Sequence, residues 1–138
     1  MRIIFLIIVG VTSLMSSNFN RINDIVIDNI TGLEWQDNNE TNVTYTWIDA
    51  IDYCENLNLN NKNDWRLPNI NELLSIVDED VYDPSINNIF HYISSEYYWS
   101  STVSTFNLEK VWLIYFQIGN RAYISKSDTH LLRCVRGE

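Results

Sequence analysis

Two cysteines, Cys54 and Cys134, have the most constrained chemistry in the sequence. In an oxidising compartment such a pair forms a disulfide, and the N-terminal segment described below indicates export to one. We therefore expect a Cys54–Cys134 bridge, which would stabilise the fold by about 4–5 kcal/mol on the chain-entropy model. The alternative is a zinc site in which His130 joins the two cysteines, although no fourth ligand stands at a typical spacing.

Aromatic and arginine side chains supply the candidates for ligand binding. These residues are Trp65, Arg66, Tyr97, Trp99 and Trp112. Trp and Arg dominate the binding energy of interfaces, and aromatic faces are platforms for apolar parts of a ligand. Tyr97 and Trp99 share one face of a strand, because side chains alternate. The competing interpretation places the rings in the core and uses Arg66 to join loops through carboxylates or carbonyls.

Catalytic patterns are absent from the sequence. It contains neither Gly-x-Ser-x-Gly nor His-Glu-x-x-His, and His91 and His130 are the only histidines. Glu34 and Asp37 could form a glycosidase pair only if the fold set their carboxyl groups at a suitable separation. We expect no catalytic residues, no cofactor and no metal, and thus a protein that is not an enzyme.

Four carboxylates, Asp78, Glu79, Asp80 and Asp83, form the densest acidic cluster. Calcium takes six to eight oxygen ligands, so the segment from Asp78 to Asp83 is a candidate for weak calcium binding. It has no EF-hand spacing, and a solvated acidic loop is the alternative.

The composition limits the function classes. The chain has 138 residues, 46% of them hydrophobic, which is enough for one domain with a real core. Its formal charge is −9, whereas nucleic-acid binding depends on Lys and Arg that neutralise phosphates. We expect no nucleic-acid partner.

Residues 1–17 have the pattern of a signal peptide. One cation is followed by a short apolar run and then by small residues, and the run is too short to span a bilayer comfortably. An uncleaved anchor is the alternative. Cleavage would leave a domain of residues 18–138 with 8 basic and 18 acidic side chains, a charge of −10. It would be periplasmic, on the cell surface or secreted, with no membrane insertion.

Hydrophobic spacing predicts the elements that position these residues. Strands at 25–28 and 33–36 flank Gly32, and helices begin after Thr46 and Asn69, each followed three residues later by an acid. An irregular stretch, 79–96, precedes the remaining predicted strands, which are 97–102, 111–116, 121–125 and 131–136. Gly119-Asn120 supplies a hairpin turn. Early helices and late antiparallel strands predict an α+β domain with two helices packed on an antiparallel sheet.

Five landmarks occur in a recognisable order. They are Asp28-x-x-Thr31-Gly32-Leu33-x-Trp35-Gln36, Trp47-x-x-Ala50-x-x-Tyr53-Cys54, Trp65-Arg66-Leu67-Pro68-x-x-x-Glu72-Leu73, Tyr98-Trp99-Ser100-Ser101-Thr102 and Arg133-Cys134-Val135-Arg136. This order, over about residues 24–136, resembles the family named after the C-terminal domain of the Legionella collagen-like adhesin, Lcl. The resemblance implies a compact fold related to C-type lectins and to the formylglycine-generating-enzyme group, found mostly in exported bacterial proteins. In the adhesin the domain is associated with glycosaminoglycan binding and trimerisation.

Two features of this chain differ from what the resemblance implies about ligands. The charge of −10 would repel sulfated polysaccharides, and none of the triplets that hold calcium and sugar in C-type lectins is present. The leading interpretation is therefore an exported, non-catalytic binding module for adhesion, which contacts a carbohydrate or a protein through its long loops. The alternatives are a hydrolase or modifying enzyme on the same scaffold and a structural subunit of the envelope.

Overall fold

The computed structural model describes residues 18–138, so the predicted signal peptide lies outside the described part of the chain. The elements in chain order are β1 (Phe19–Ile22), β2 (Ile25–Asp28), β3 (Glu34–Gln36), a short 3-10 helix (Asn39–Asn42), α1 (Trp47–Glu55), α2 (Ile70–Ser75), β4 (Tyr97–Val103), β5 (Lys110–Tyr115), β6 (Asn120–Ser125) and β7 (Val135–Arg136). They form an α+β domain in which strands hold more residues than helices, as two helices and two antiparallel sheets.

The first sheet has the strand order β1-β2-β3-β7. Its central hairpin joins β2 to β3 through Gly32. The φ of Gly32 is +77°, in the left-handed region that glycine adopts without a steric penalty because it has no Cβ. The predicted hairpin is thus confirmed. β1 was not predicted, and the strand predicted at 131–136 is shorter, because only β7 pairs with β3 there.

Both helices begin where the capping patterns place them. Thr46 Oγ1 accepts from the Asp49 N–H at 3.4 Å, which caps α1. At α2 the Asn69 side chain accepts from the Glu72 N–H at 2.8 Å, and the Glu72 carboxylate accepts from the Asn69 N–H at 2.9 Å. This reciprocal capping box satisfies backbone donors that a six-residue helix would otherwise leave unpaired.

The second sheet, in the order β4-β5-β6, lies between the two helices. On one face Tyr98 and Ile114 join a core cluster that contains residues of α2. On the other face Trp99 and Leu113 join a second cluster that contains residues of α1. Because both faces are covered, consecutive residues of β4 are buried, and the usual alternation of buried and exposed positions is lost.

The predicted packing of two helices on an antiparallel sheet therefore holds for the second sheet, with one helix on each face. The prediction of a single sheet was incomplete. The short strands β3 and β7 pair with each other and, together with β1 and β2, form the first sheet. The irregular stretch predicted at 79–96 contains no helix or strand.

Cys54 and Cys134 form a disulfide, with 5.5 Å between their Cα atoms. The bond joins α1 to the segment that leads into β7. Because each sulfur is bonded to the other, neither cysteine is a free thiolate that could bind zinc together with His130. Neither helix of residues 18–138 has the length and apolar content to cross a bilayer.

Candidate functional site

Two of the five candidate ligand-binding residues lie in the interior. Trp99 is fully buried, and its indole N–H donates to the Tyr45 carbonyl oxygen at 2.7 Å. Trp65 is 2% exposed, and its indole N–H is shared between the carbonyl oxygens of Leu59 and Lys62. Trp65 and Trp99 are therefore core residues with satisfied donors, and neither presents a face to a ligand.

Arg66 joins chain segments. Its guanidinium makes two parallel hydrogen bonds to the Glu72 carboxylate, at 2.6 and 2.7 Å, and a third to the Gly137 carbonyl oxygen at 2.9 Å. Burial would raise the pKa of Glu72, but the hydrogen bond from Arg66 and the backbone N–H of Asn69 hold it below its usual value. This arrangement matches the alternative interpretation, in which Arg66 holds loops together.

Tyr97 is half-buried and stacks on the cross-strand residue Tyr115, with ring centroids 4.4 Å apart. The His130 ring meets Tyr97 edge-on at 5.5 Å and Trp99 at 5.0 Å. Burial lowers the pKa of His130, which favours the neutral imidazole. Tyr97 thus belongs to an aromatic stack that continues inward to Trp99, and only its outer part reaches solvent.

Trp112 is the candidate that lies in an exposed setting. It is half-buried in β5 and packs edge-on against Tyr123, its partner on β6, with centroids 5.1 Å apart. Tyr123 is 44% exposed, and Phe106, 79% exposed, lies 6.3 Å from it. We name the surface formed by Phe106, Lys110, Trp112, Arg121 and Tyr123 the ribbon patch.

Cations lie over the rings of the ribbon patch. The Arg121 guanidinium is 5.6 Å from the Trp112 ring centroid, and Lys110 Nζ is 5.4 Å from that of Tyr123. Just beyond β6, Lys126 Nζ lies 4.9 Å from the Trp47 ring. Such contacts hold a cation near an aromatic face while it stays hydrated.

These three cations differ from the other basic residues. Within residues 18–138, the side chains of Arg21, Arg66, Arg133 and Arg136 all form salt bridges. None is found there for Lys110, Arg121, Lys126 or the distant Lys62. The segment 110–127 also contains no Asp or Glu, although the chain has 18 acidic residues. The ribbon patch is therefore a locally basic, aromatic surface on an acidic protein.

Both carboxylates of the glycosidase pair considered above are bound to arginines. Glu34 is paired with Arg136 across β3 and β7. Asp37 is fully buried, with one carboxylate oxygen 2.8 Å from Arg133 and the other bonded to Arg21.

Backbone donors complete the surroundings of Asp37. Its carboxylate accepts from the N–H groups of His91 and Tyr92, at 2.8 and 3.1 Å. Burial alone would raise the Asp37 pKa, but the Arg133 charge and the hydrogen bonds from the His91 N–H, Arg21 and Arg133 outweigh it and hold the pKa below 3.8. A carboxylate held ionised by two guanidiniums cannot act as a general acid, so Asp37 fixes the end of β3 to the long loop.

The acidic loop borders two adjoining grooves. One, of about 850 Å³, is lined by Asp28, Ile30 and residues 75–80 among others. The second, of about 770 Å³, is more apolar and includes Val81, Ile86 and Phe90. Within the described residues no three His, Cys, Asp or Glu side chains converge to hold a metal ion, and weak calcium binding by the acidic loop stays a prediction.

The sequence indicated Trp112 as a candidate but not the neighbours with which it forms the ribbon patch. Tyr123 lies in a predicted strand next to Trp112, and a Trp–Tyr cross-strand pair follows once the hairpin register is known. Phe106 precedes β5 in a loop whose position no periodicity indicates. The charge signal was present, since 110–127 is free of carboxylates.

The family model of the Lcl C-terminal domain matches residues 24–136, which is most of the chain and includes the second sheet, the first sheet without β1, the disulfide and the ribbon patch. No curated protein matches the sequence. The match covers every landmark that carried the resemblance, and on this basis the chain belongs to the Lcl C-terminal domain family.

Proposed function

We propose that this protein is an exported, non-catalytic, adhesin-like surface module, and that it binds a carbohydrate or protein ligand through the ribbon patch. The observation that carries the proposal is the exposed aromatic cluster bracketed by cations that form no salt bridges. Family membership supports it, because the Lcl C-terminal domain suggests an adhesin-like role. The C-type-lectin relationship of the fold stays a prediction.

Exposed rings support ligand contact at this surface. Phe106 is 79% and Tyr123 44% exposed, and Tyr123 is the ring that contacts both Phe106 and the half-buried Trp112. A contiguous exposed apolar surface with a polar rim is a mark of an interaction site. Trp, Tyr and Arg are also the residues that contribute most to binding energy when a partner excludes water from them.

The charged groups of the fold support a non-catalytic role. Asp37, Glu34 and Glu72 could have served as acids or bases, and each is paired with an arginine that joins segments of the chain. The disulfide supports export, because such bonds persist in oxidising compartments.

The test is a glycan array combined with binding to intact cells, using residues 18–138 with the disulfide formed. We expect binding to fall at least tenfold in Trp112→Ala, since such an anchor contributes about 1.4 kcal/mol or more, and up to about fivefold in Tyr123→Ala, the range of a cross-strand pair. Tyr82→Ala is the matched control, because Tyr82 is an 82% exposed aromatic residue outside the patch. Equal binding by all variants, or no binding to either the array or the cells, would reject the ribbon patch as the binding face.

A further inference from the structure

β6 is an open edge of the second sheet. The sheet order is β4-β5-β6, so β6 has a paired strand on one side only. The opposite edge is covered, because β4 exchanges backbone hydrogen bonds with Leu131: the Leu131 N–H donates to Tyr97 O at 3.1 Å and the Trp99 N–H to Leu131 O at 2.9 Å. Of the two edges of this sheet, β6 is the one available for pairing.

The register identifies which backbone groups of β6 point outward. The Lys126 N–H donates to Glu109 O, and in an antiparallel pair hydrogen-bonded positions alternate with non-bonded ones. Ala122 and Ile124 therefore bond to β5, whereas the N–H and C=O groups of Arg121 and Tyr123 point away from it. Within residues 18–138 these outward groups have no backbone partner outside the sheet.

The edge has few of the usual protections. Open edges are commonly shortened, bulged, covered or interrupted by proline. β6 is six residues long, has an uninterrupted register with β5 and contains no proline. Arg121 is its one charged residue, and its guanidinium lies over Trp112 instead of blocking the backbone.

The charge around the edge indicates what would pair with it. Arg121 lies in β6, Lys110 on the neighbouring strand β5 and Lys126 directly after β6, and no carboxylate occurs in 110–127. A second copy of residues 18–138 would bring a charge of −10 against another, which opposes stable self-pairing. An extended segment with carboxylates on alternate residues would set them on the face of Arg121 and Lys110 and would meet the outward groups of β6 with its backbone.

We propose that the β6 edge binds an extended, acidic segment of a partner protein as an added strand. This rests on the proposed function and specifies it, because it assigns the protein class of ligand to the ribbon patch. The partner's carboxylates lie toward Arg121 and Lys110, which share one face of the β5–β6 hairpin. At the other end of β6 stands the acidic loop, where the Asp83 N–H donates to Gln117 O at 2.8 Å.

Amide hydrogen exchange with a model peptide tests strand addition. The probe is a capped seven-residue peptide of alternating Glu and Val, at millimolar concentration, with a Lys-Val peptide as the charge-reversed control. We expect the Arg121 and Tyr123 amides to slow at least fivefold with the acidic peptide. The Ala122 and Ile124 amides already bond to β5 and serve as internal references.

A pair of variants separates backbone pairing from side-chain contact. Tyr123→Pro removes an N–H that points away from β5, so the β5–β6 ladder stays complete. Tyr123→Ala removes the same ring and keeps the N–H. We expect Tyr123→Ala to weaken peptide binding up to about fivefold, the range of a cross-strand pair, and Tyr123→Pro to abolish it. Circular dichroism checks that both variants fold, and the exchange test on the unmodified protein does not depend on them.

Charge reversal provides the third comparison. We expect Arg121→Glu to reduce binding of the acidic peptide at least tenfold. Lys62→Glu makes the same charge change at the exposed cation outside the patch and should leave binding within about twofold, because separated exposed charges are screened. Equal losses in both variants would overturn the assignment to β6.

Other outcomes would also overturn the proposal. Unchanged exchange rates of the Arg121 and Tyr123 amides at millimolar peptide would reject strand addition. If Trp112→Ala still lost glycan or cell binding in that case, the proposed function would stand. If Trp112→Ala kept its binding, the proposed function would be rejected as well. Protection that grows with protein concentration alone would assign the edge to a second copy. Protection by hyaluronan fragments but not by the peptide would assign it to a carbohydrate.

Discussion

The two sheets use their cations in opposite ways. Around the first sheet Arg21, Arg133 and Arg136 are each bound to a carboxylate, and Arg133 is completely buried. On the second sheet Lys110 and Arg121 rest over aromatic rings and form no salt bridge. The same residue types therefore fix chain segments in one region and remain exposed in the other.

This difference shows where electrostatics determines the fold and where it is available to a ligand. Burying a guanidinium requires a partner that supplies charge and hydrogen bonds, and Asp37 supplies both. A cation over a ring keeps most of its hydration and can turn toward an incoming ligand at little cost. The predictions below change one region at a time.

The largest effect is expected for Asp37→Asn. The substitution keeps the shape but leaves Arg133 buried and Arg21 half-buried without a counter-charge, so the free energy of unfolding should fall by about 3–5 kcal/mol. Urea unfolding of residues 18–138 measures it. Asp52→Asn on the exposed face of α1 is the control and should change stability by less than about 0.5 kcal/mol. Equal effects of the two variants would mean that the interior ion pair does not set the stability of the first sheet.

Acid should weaken the same region. The pKa of Asp37 is lower in the folded protein than its ordinary value of 3.8, so its ionised form contributes stability that is fully present above pH 3.8. That contribution is lost as the pH falls through the lower folded value. Unfolding free energies from pH 6 to pH 2.5 should therefore converge for the unmodified protein and Asp37→Asn. A constant difference over this range would contradict the protonation argument.

The smallest effect on stability is expected on the ribbon patch. Arg121→Ala removes an exposed cation–π contact, which is worth about 0.5–1 kcal/mol at such sites. Thermal unfolding should shift by only a few degrees at most, far less than for Asp37→Asn. A loss as large as that of Asp37→Asn would show that Arg121 has a structural role and would erase the contrast between the sheets.

The sequence predicted the elements whose signals are local. Thr46 and Asn69 begin their helices because each side chain can satisfy the N–H three residues later. Gly32 predicted the β2–β3 turn because such turns need a residue with positive φ, which glycine adopts readily. The cysteine pair was predicted from export and is present as a disulfide.

What the sequence could not predict depends on long-range packing. Trp99 and Tyr98 are both buried because helices cover both faces of β4, which no alternation pattern reveals. Gly119-Asn120 indicated the turn before β6. The actual turn is longer, however, and its register sets Tyr123 opposite Trp112. Asp37 became a structural carboxylate because Arg21 and Arg133 approach it from distant parts of the chain.

The Cys54–Cys134 bond has a further consequence for the durability of the molecule. It closes all of α2, the long irregular loop and the whole second sheet into a covalent ring, with a sequence separation of 80 between the joined residues. Exposed irregular loops are the preferred sites of proteolytic cleavage. A single cut anywhere within this ring leaves both pieces joined through sulfur, so no fragment is released until the bond is reduced. A nicked molecule would keep its β6 edge tethered to the rest of the domain.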